Sequence, residues 1–221
     1  MNLAGLIAVI TRVLGTNGVS PLSKYTAVGM NILMLAPHPF YKARGTPIAA
    51  DLVLRVLSER GDQIDVITFP EGSDVEYPNV KLYRTPDVKA VRNIRPGFSW
   101  KKVVCDIFLL IQAVRLAKTN RYHLIHAGEE AVFVALVIKQ LFGIPYVYDM
   151  DSSLVQQLMD RYPQFRFLRK VLQSFEGLAV RNAKAVVAVC QALKTEIDPY
   201  YPNRVVVIPD ISLLNCSHHD G

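Results

Sequence analysis

The polar residues that could do chemistry in this chain stand just after predicted strands. They are His38 and Gly45 after the first strand, His126 to Glu130 after the fourth, Asp149 to Ser153 after the fifth, and Cys190 with Gln191 after the sixth. Because the carboxyl ends of parallel strands share one edge of a sheet, we expect these residues to line a single cleft. Residues of these types also begin loops and cap helices, and Asp151 and Ser153 are good N-cap residues.

Metal binding and general-base catalysis are the two kinds of chemistry that Asp149 and Asp151 could supply. We expect these two carboxylates to point to opposite faces of the sheet, which argues against a paired-carboxylate site. Cys216, His218 and His219 could coordinate a metal, but they stand on a polar tail without helical spacing. No metal site is therefore predicted.

Three common ligand-binding and catalytic motifs are missing from the sequence. No G-x-G-x-x-G follows the first strand, and the second strand ends in Thr68-Phe69-Pro70 with no acid for a ribose, which argues against a nicotinamide or flavin site. No G-x-x-x-x-G-K-[ST] is present, so this is not a P-loop protein. No G-x-S-x-G is present either, which argues against an α/β-hydrolase.

The first predicted strand and helix position the residues at the carboxyl edge of the sheet. Asn31-Ile32-Leu33-Met34-Leu35-Ala36 is an apolar run without turn residues, as expected for a strand buried on both faces of a parallel sheet. Thr46 can cap a helix that begins at Pro47 and stops at Gly61. The apolar face predicted for this helix consists of Ile48, Leu52, Val53, Val56 and Leu57. A helix N-terminus beside the carboxyl end of a buried strand favours an anionic ligand.

Strand and helix alternate through the rest of the chain. Further strands are predicted at residues 64–69, 80–83, 123–127, 145–149, 185–189 and 205–208. Helices are predicted from Trp100 to near Asn120, at 129–142, at 164–182 and at 191–197, and a short helical piece is predicted to end at Asp160. The helix at 164–182 is expected to bury Leu168, Val171, Leu172, Phe175, Leu178 and Ala179. This pattern predicts an α/β fold, with a Rossmann-like, doubly wound, mainly parallel sheet of about seven strands and helices on both faces.

Composition indicates a globular protein with an anionic partner. Hydrophobic residues make up 51% and charged residues 20% of the 221 residues, which suits a buried core and argues against disorder. No apolar run reaches the roughly 20 residues needed to cross a bilayer. The net charge of +6 and the pI near 9.2 fit a sugar nucleotide, an acidic lipid surface or a nucleic acid, without choosing among them. Three cysteines without metal or redox spacing indicate free thiols in a reducing cytosol.

The folded domain is predicted at residues 30–210. Residues 1–29 are expected to form a poorly ordered or weakly interfacial extension, and residues 211–221 a tail. Two segments inside the domain, 84–102 and 161–170, combine basic and aromatic residues. Each segment is either a solvated surface or a surface that meets anionic lipid or substrate.

Several weak sequence features together resemble one known family. They are Gly45-Thr46-Pro47 after the first strand, Leu124-Ile125-His126, Tyr148-Asp149-Met150-Asp151-Ser152-Ser153-Leu154, Ala185-Val186-Val187-Ala188-Val189-Cys190-Gln191-Ala192-Leu193, and Val206-Val207-Ile208-Pro209. In this order they look like the N-terminal domain of family 4 glycosyltransferases, over residues 30–210. The resemblance implies one half of a GT-B fold, in which two Rossmann-like domains face each other across a cleft. It also implies transfer of a sugar from a nucleotide donor with retention and without a metal.

The resemblance also suggests roles for individual residues. In that family the N-terminal domain holds mostly the acceptor, and its glycine-containing first loop approaches the donor phosphates. Gly45 and Thr46 match that loop, and Arg44 could add charge there. Asp151 stands where the family often has a histidine that contacts the transferred sugar, so it is the predicted catalytic residue. The remaining predicted substrate-binding residues are His126, Glu129, Glu130, Asp149 and Ser152.

The main nucleotide-sugar site of that family lies in a C-terminal domain, with basic residues and paired glutamates for which this sequence has no counterpart. We therefore expect weak or no transfer by this chain alone. The implied partners are a nucleotide sugar as donor substrate, a sugar or lipid-linked acceptor and a C-terminal partner chain, with no cofactor. The alternative is a non-catalytic binding module or subunit that associates with an anionic membrane or a partner chain. Nucleic-acid binding is not expected, and the expected location is the cytoplasm, with peripheral contact at the cytoplasmic membrane face.

Overall fold

A single seven-stranded sheet organises the computed structural model, which describes residues 29–39, 45–74, 76–87 and 100–209. The strands are β1 (Asn31–Ala36), β2 (Gln63–Thr68), β3 (Val80–Arg84), β4 (Leu124–Gly128), β5 (Tyr146–Met150), β6 (Ala185–Ala188) and β7 (Val205–Val207). All neighbouring strands are parallel, in the order β3-β2-β1-β4-β5-β6-β7. The predicted Rossmann-like α/β fold is confirmed.

Helices cover both faces of the sheet. They are α1 (Gly45–Glu59), α2 (Trp100–Thr119), α3 (Ala131–Phe142), α4 (Leu154–Arg161), α5 (Arg169–Asn182) and α6 (Gln191–Ile197). Alternate residues of β1 serve the two cores, because successive side chains of a strand point to opposite faces. Ile32 and Met34 pack with α1, whereas Leu33 and Leu35 belong to the larger core that α2, α3, α5 and α6 cover. The strand order reverses between β1 and β4, and open α/β sheets bind ligands at that point.

The beginnings of two helices differ from the prediction. The first, α1, begins at Gly45 instead of Pro47, and its buried face contains Ala50 and Leu54 in place of Ile48 and Leu52. The other, α3, begins at Ala131 instead of Glu129, because Glu129 has a positive φ of 46° that a helix does not accept.

The predicted helix at 164–182 is wrong in both extent and orientation. A short 3-10 helix, Pro163–Leu168, comes first, with a break in helical geometry at Phe165. The helix α5 then buries Glu176, Gly177, Ala179 and Val180. The large apolar residues predicted to be buried are exposed instead, namely Leu168, Val171, Phe175 and Leu178. Small residues let α5 approach its neighbours closely: a Cβ at Gly177 would lie 3.0 Å from the ring of Tyr200.

Some predictions fall outside the described residues. These are the extension at residues 1–28, Arg44, most of the basic segment at 84–102, Cys216 with His218 and His219, and the tail at 211–221. Within the ranges that the structure does describe, none of the helices has the length and apolar character needed to cross a membrane.

Candidate functional site

A cleft opens at the carboxyl edge of the sheet, where the strand order reverses between β1 and β4. Its polar lining comes from the ends of three strands: His38 follows β1, His126 and Gly128 belong to β4, and Asp149 and Asp151 come from the end of β5. Ala49 and Ala50 of α1 close the other side. The expectation that side chains after the strands share one cleft is thus met by His38, His126, Asp149 and Asp151.

His126 and Asp149 form a side-chain pair inside the cleft. The His126 Nε2 atom lies 3.1 Å from Asp149 Oδ2. The imidazole is buried and the carboxylate is partly open to the cleft. The expectation that Asp149 and Asp151 point to opposite faces was wrong, because residues two apart in an extended segment lie on the same side; both line this cleft.

His38 lines the cleft as expected, although no binding or catalytic role was predicted for it. Its backbone is held by two hydrogen bonds: its N–H donates to the Ala36 carbonyl at 2.8 Å, and its carbonyl accepts from the Thr68 hydroxyl at 2.7 Å. Burial lowers the pKa of His38 to about 4, and Glu129 only partly offsets this effect. His38 is therefore neutral near pH 7 and can both accept and donate a hydrogen bond. Its position directly after β1 was the sequence signal.

Glu129 and Glu130, which follow β4, bind Lys102 of α2. The Lys102 Nζ atom lies 2.9 Å from Glu129 Oε2 and 2.6 Å from Glu130 Oε1. Burial raises the pKa of Glu130 to about 8 against the opposing charge of Lys102. Burial acts on Glu129 in the same direction, but there Lys102 outweighs it and lowers the pKa. The two glutamates are not part of the cleft lining, and their contact with an acceptor stays a prediction.

The turn that binds Lys102 contains a strained backbone position at Glu129. Glu129 has a φ of 46°, in the left-handed region that residues other than glycine seldom adopt. Its N–H donates to the Asp149 carbonyl at 3.3 Å, which joins the turn after β4 to the end of β5. The turn that carries the Lys102 contacts is therefore fixed to the strand that carries Asp149.

The first turns of α1 border the cleft through Ala49 and Ala50. The predicted phosphate-binding residues Gly45 and Thr46 are the first two residues of this helix. Unpaired N–H groups and the helix dipole make such an end suitable for an anion. Arg44 lies outside the described residues, so its added charge stays a prediction.

The predicted residue Ser152 lies next to the cleft residue Asp151 but bonds elsewhere, since its hydroxyl accepts a hydrogen bond from the Gln157 amide. Ser153 caps α4 by accepting from the Gln156 N–H at 3.2 Å. The Ser153 hydroxyl donates to the buried carboxylate of Glu176, 3.1 Å away. Sequence reasoning missed Glu176, because a lone acid in an amphipathic helix looks like a solvent-facing residue.

The sequence matches one protein family over most of its length. The model of the glycosyl transferase 4-like domain matches residues 45–210, a span that includes every cleft residue named above except His38. No curated protein sequence matches this chain at a significant level.

Solved structures share the fold at low sequence identity. Sucrose-phosphate synthase from Thermosynechococcus elongatus superposes with a TM-score of 0.61 and 17% identity, over 83% of this chain and 48% of that one. A second structure of that enzyme superposes with a TM-score of 0.56 and 16% sequence identity, over 83% of this chain and 90% of that chain. Arabidopsis thaliana UGT89C1 complexed with quercetin superposes with a TM-score of 0.50 and 13% sequence identity, over 85% of this chain and 52% of that chain. The chain thus spans about half the length of the first of these structures, and its fold is that of one GT-B half.

Proposed function

This chain belongs to the glycosyl transferase 4-like family, and we propose that it is the acceptor-side half of a retaining glycosyltransferase that uses a nucleotide sugar. The supporting observation is the position of the cleft: most of its lining lies in the span that the family model matches, at the point of the sheet where α/β folds bind ligands, and it carries paired polar side chains. The GT-B fold of the similar structures supports the same proposal.

Glycosyl transfer requires two things of such a cleft. The bond from the anomeric carbon to the nucleotide diphosphate breaks, and an acceptor hydroxyl forms a new bond to that carbon while its proton passes to the departing diphosphate. We propose that the Asp149 carboxylate, which His126 positions, accepts a hydrogen bond from the acceptor hydroxyl. Asp151 is assigned to the transferred sugar, and the N-terminus of α1 at Gly45 and Thr46 to the donor phosphates.

Electrostatics supports the proposal that transfer needs a second half. The departing diphosphate gains negative charge, which cations or preorganised N–H donors must stabilise. The polar side chains of the described cleft are two carboxylates and two histidines, one of them neutral near pH 7. Lys102, the basic side chain that contacts the turn after β4, already binds two glutamates. We therefore propose that the stabilising positive charge comes from a C-terminal nucleotide-binding half.

The proposed chemistry needs no metal and no cofactor beyond the donor substrate. No group of three or more His, Cys, Asp or Glu side chains that could hold a metal occurs within the described ranges; the metal-free reaction nevertheless stays a prediction. We also propose a cytoplasmic location, which the free thiols of Cys105 and Cys190 support.

A transfer assay tests this function. A panel of nucleotide sugars and acceptor sugars is offered to the purified chain alone and to the chain combined with its C-terminal half, sought in the coding sequence downstream of Gly221. Transfer by the combined halves, with the anomeric configuration of the donor kept, is the expected result. Robust transfer by the chain alone would contradict the need for a second half, and an inverted product would contradict retention. No transfer by the combined halves would contradict the function itself.

A further inference from the structure

An exposed surface of basic and aromatic side chains follows the carboxyl end of β5. It comprises residues 161–175, which run from the end of α4 through the 3-10 helix into α5, and we term it the basic-aromatic surface. No residue of the 3-10 helix is buried. Phe167 is 76% exposed, Phe175 55% and Val171 51%. An exposed cluster of large apolar side chains commonly marks a binding surface.

The apolar side chains of this surface form an aromatic row and a helix face. The ring centroids of Tyr162 and Phe165 are 6.0 Å apart, and those of Phe165 and Phe167 are 6.4 Å apart. Val171 and Phe175 are four residues apart in α5 and therefore share one face of that helix. We term the aromatic row and this helix face, which follow each other along the chain, the apolar strip.

Basic residues alternate with the apolar strip along the chain. Four basic residues belong to the basic-aromatic surface, namely Arg161, Arg166, Arg169 and Lys170, and a single acid, Asp160, precedes it. Within the part of the chain that the structure describes, no ion pair joins Arg166, Arg169 or Lys170 to an acid. These charges are therefore available to an external anion. An apolar strip flanked by cations is complementary to the surface of an anionic bilayer, where acyl chains lie beneath negative head groups.

The basic-aromatic surface is held in one conformation from beneath. The buried carboxylate of Glu176 accepts hydrogen bonds from the Ser153 hydroxyl at 3.1 Å and from the Tyr200 hydroxyl at 3.1 Å. Ser153 is the N-cap of α4, and Glu176 lies in α5. These contacts tie both helices to the domain, so that binding does not have to order the surface first.

We propose that the basic-aromatic surface docks the domain on an anionic phospholipid bilayer. Phe167 and its apolar neighbours enter the interface, and Arg166, Arg169 and Lys170 contact the negative head groups. The helix α4, which leads into this surface, leaves the sheet edge that carries the cleft. The docking is independent of the proposed transferase function, since it depends on none of the cleft residues.

Vesicle flotation with the full chain tests this docking. The vesicles contain phosphatidylcholine with a rising fraction of phosphatidylglycerol, at low and at high salt. Binding is expected to rise with the phosphatidylglycerol fraction and to fall with salt. The triple variant R166Q/R169Q/K170Q should bind about 100-fold more weakly, since each basic residue near an anionic surface contributes about fivefold. Phe167→Ser should weaken binding about tenfold through lost apolar burial.

Matched variants elsewhere on the surface separate docking from overall charge and hydrophobicity. R115Q/K118Q/R121Q removes three exposed charges from the far end of α2 and the loop after it, and Leu141→Ser removes an exposed apolar side chain from α3. Both controls should bind like the unchanged chain. The proposal would be overturned if the controls lost as much binding as the test variants. It would also be overturned if binding did not depend on the phosphatidylglycerol fraction, or if the chain did not bind vesicles. Dimerisation in light scattering that Phe167→Ser abolishes, without vesicle binding, would overturn it in favour of a second copy of the chain.

Discussion

The His126 Nε2 atom lies 3.1 Å from Asp149 Oδ2, across two adjacent parallel strands. The strand register aligns His126 with Val147 and Asp149 with Gly128, so the pair reaches diagonally along one face of the sheet. The side chain of Asp149 is 26% exposed and that of His126 only 6%. The buried imidazole therefore orients a carboxylate that remains accessible from the cleft.

Replacing Asp149 with Asn should impair transfer more than stability. The amide keeps the size of the side chain but loses the charge, and a hydrogen bond to a charged group contributes about 1.5–3 kcal/mol. We expect kcat/KM of the assembled transferase to fall about 10- to 100-fold, with the urea midpoint nearly unchanged. The control is Asp74→Asn, which removes a highly exposed carboxylate bound to Arg84. Equal activity of the two variants would show that Asp149 does not bind the acceptor.

Enlarging Ala49 tests whether the cleft holds the substrate. Ala49 lines the cleft from α1, and a leucine there would occupy space without changing any charge. We expect Ala49→Leu to raise the KM for the acceptor at least about tenfold while the free energy of unfolding changes by less than about 1 kcal/mol. Ala192→Leu adds the same side chain at an exposed position of α6 and should leave KM unchanged. An unchanged KM in Ala49→Leu would place the substrate elsewhere.

Much of the fold follows from local sequence patterns. β1 has the predicted bounds, and the other strands agree within one residue at every end, because apolar runs between turn residues have few alternatives to a buried parallel strand. The position of Asp149, Asp151 and His126 in one cleft followed from a single rule, that parallel strands end at the same edge. The roles of these residues are not visible in the pattern and stay predictions.

Tertiary packing decided the features that the sequence could not predict. Val171 and Phe175 have the same helical spacing as core residues, and only the close contact of Gly177 with Tyr200 shows that the opposite side of α5 faces the domain. Lys102 looked like part of a basic surface, yet the packing of α2 against α3 and β2 brings it against Glu129. Spacing along a helix shows which residues share a face and leaves open which face is buried.

Glu130 should make the domain less stable as the pH rises. Burial raises its pKa from 4.5 to about 8 in the folded state, so between these values the folded protein holds a proton that the unfolded chain releases. The free energy of unfolding therefore decreases with rising pH in that window. Asp106, whose pKa burial raises to about 7, acts in the same direction. Glu130→Gln cannot ionise and should flatten the decrease, measured by urea unfolding from pH 5 to pH 8.

A matched carboxylate shows whether this pH effect is specific to Glu130. Glu59 is exposed at the end of α1, and Glu59→Gln should leave the pH dependence of unfolding as it is. If Glu130→Gln and the unchanged chain lose stability in parallel across the window, Glu130 does not hold its proton in the folded state.

Glu176 should stabilise the domain more than any exposed acid. Its buried carboxylate accepts from the Ser153 hydroxyl, from the Val155 N–H at 3.4 Å and from the Tyr200 hydroxyl. Glu176→Ala leaves these donors without an acceptor and opens a cavity, so we expect the free energy of unfolding to fall by about 2–4 kcal/mol. Glu176→Gln keeps the volume and one acceptor oxygen and should cost less, about 1 kcal/mol. Urea unfolding measures both, with the exposed Glu196→Ala of α6 as the control; equal midpoints for Glu176→Ala and Glu196→Ala would show that the carboxylate does not hold α4 and α5 together.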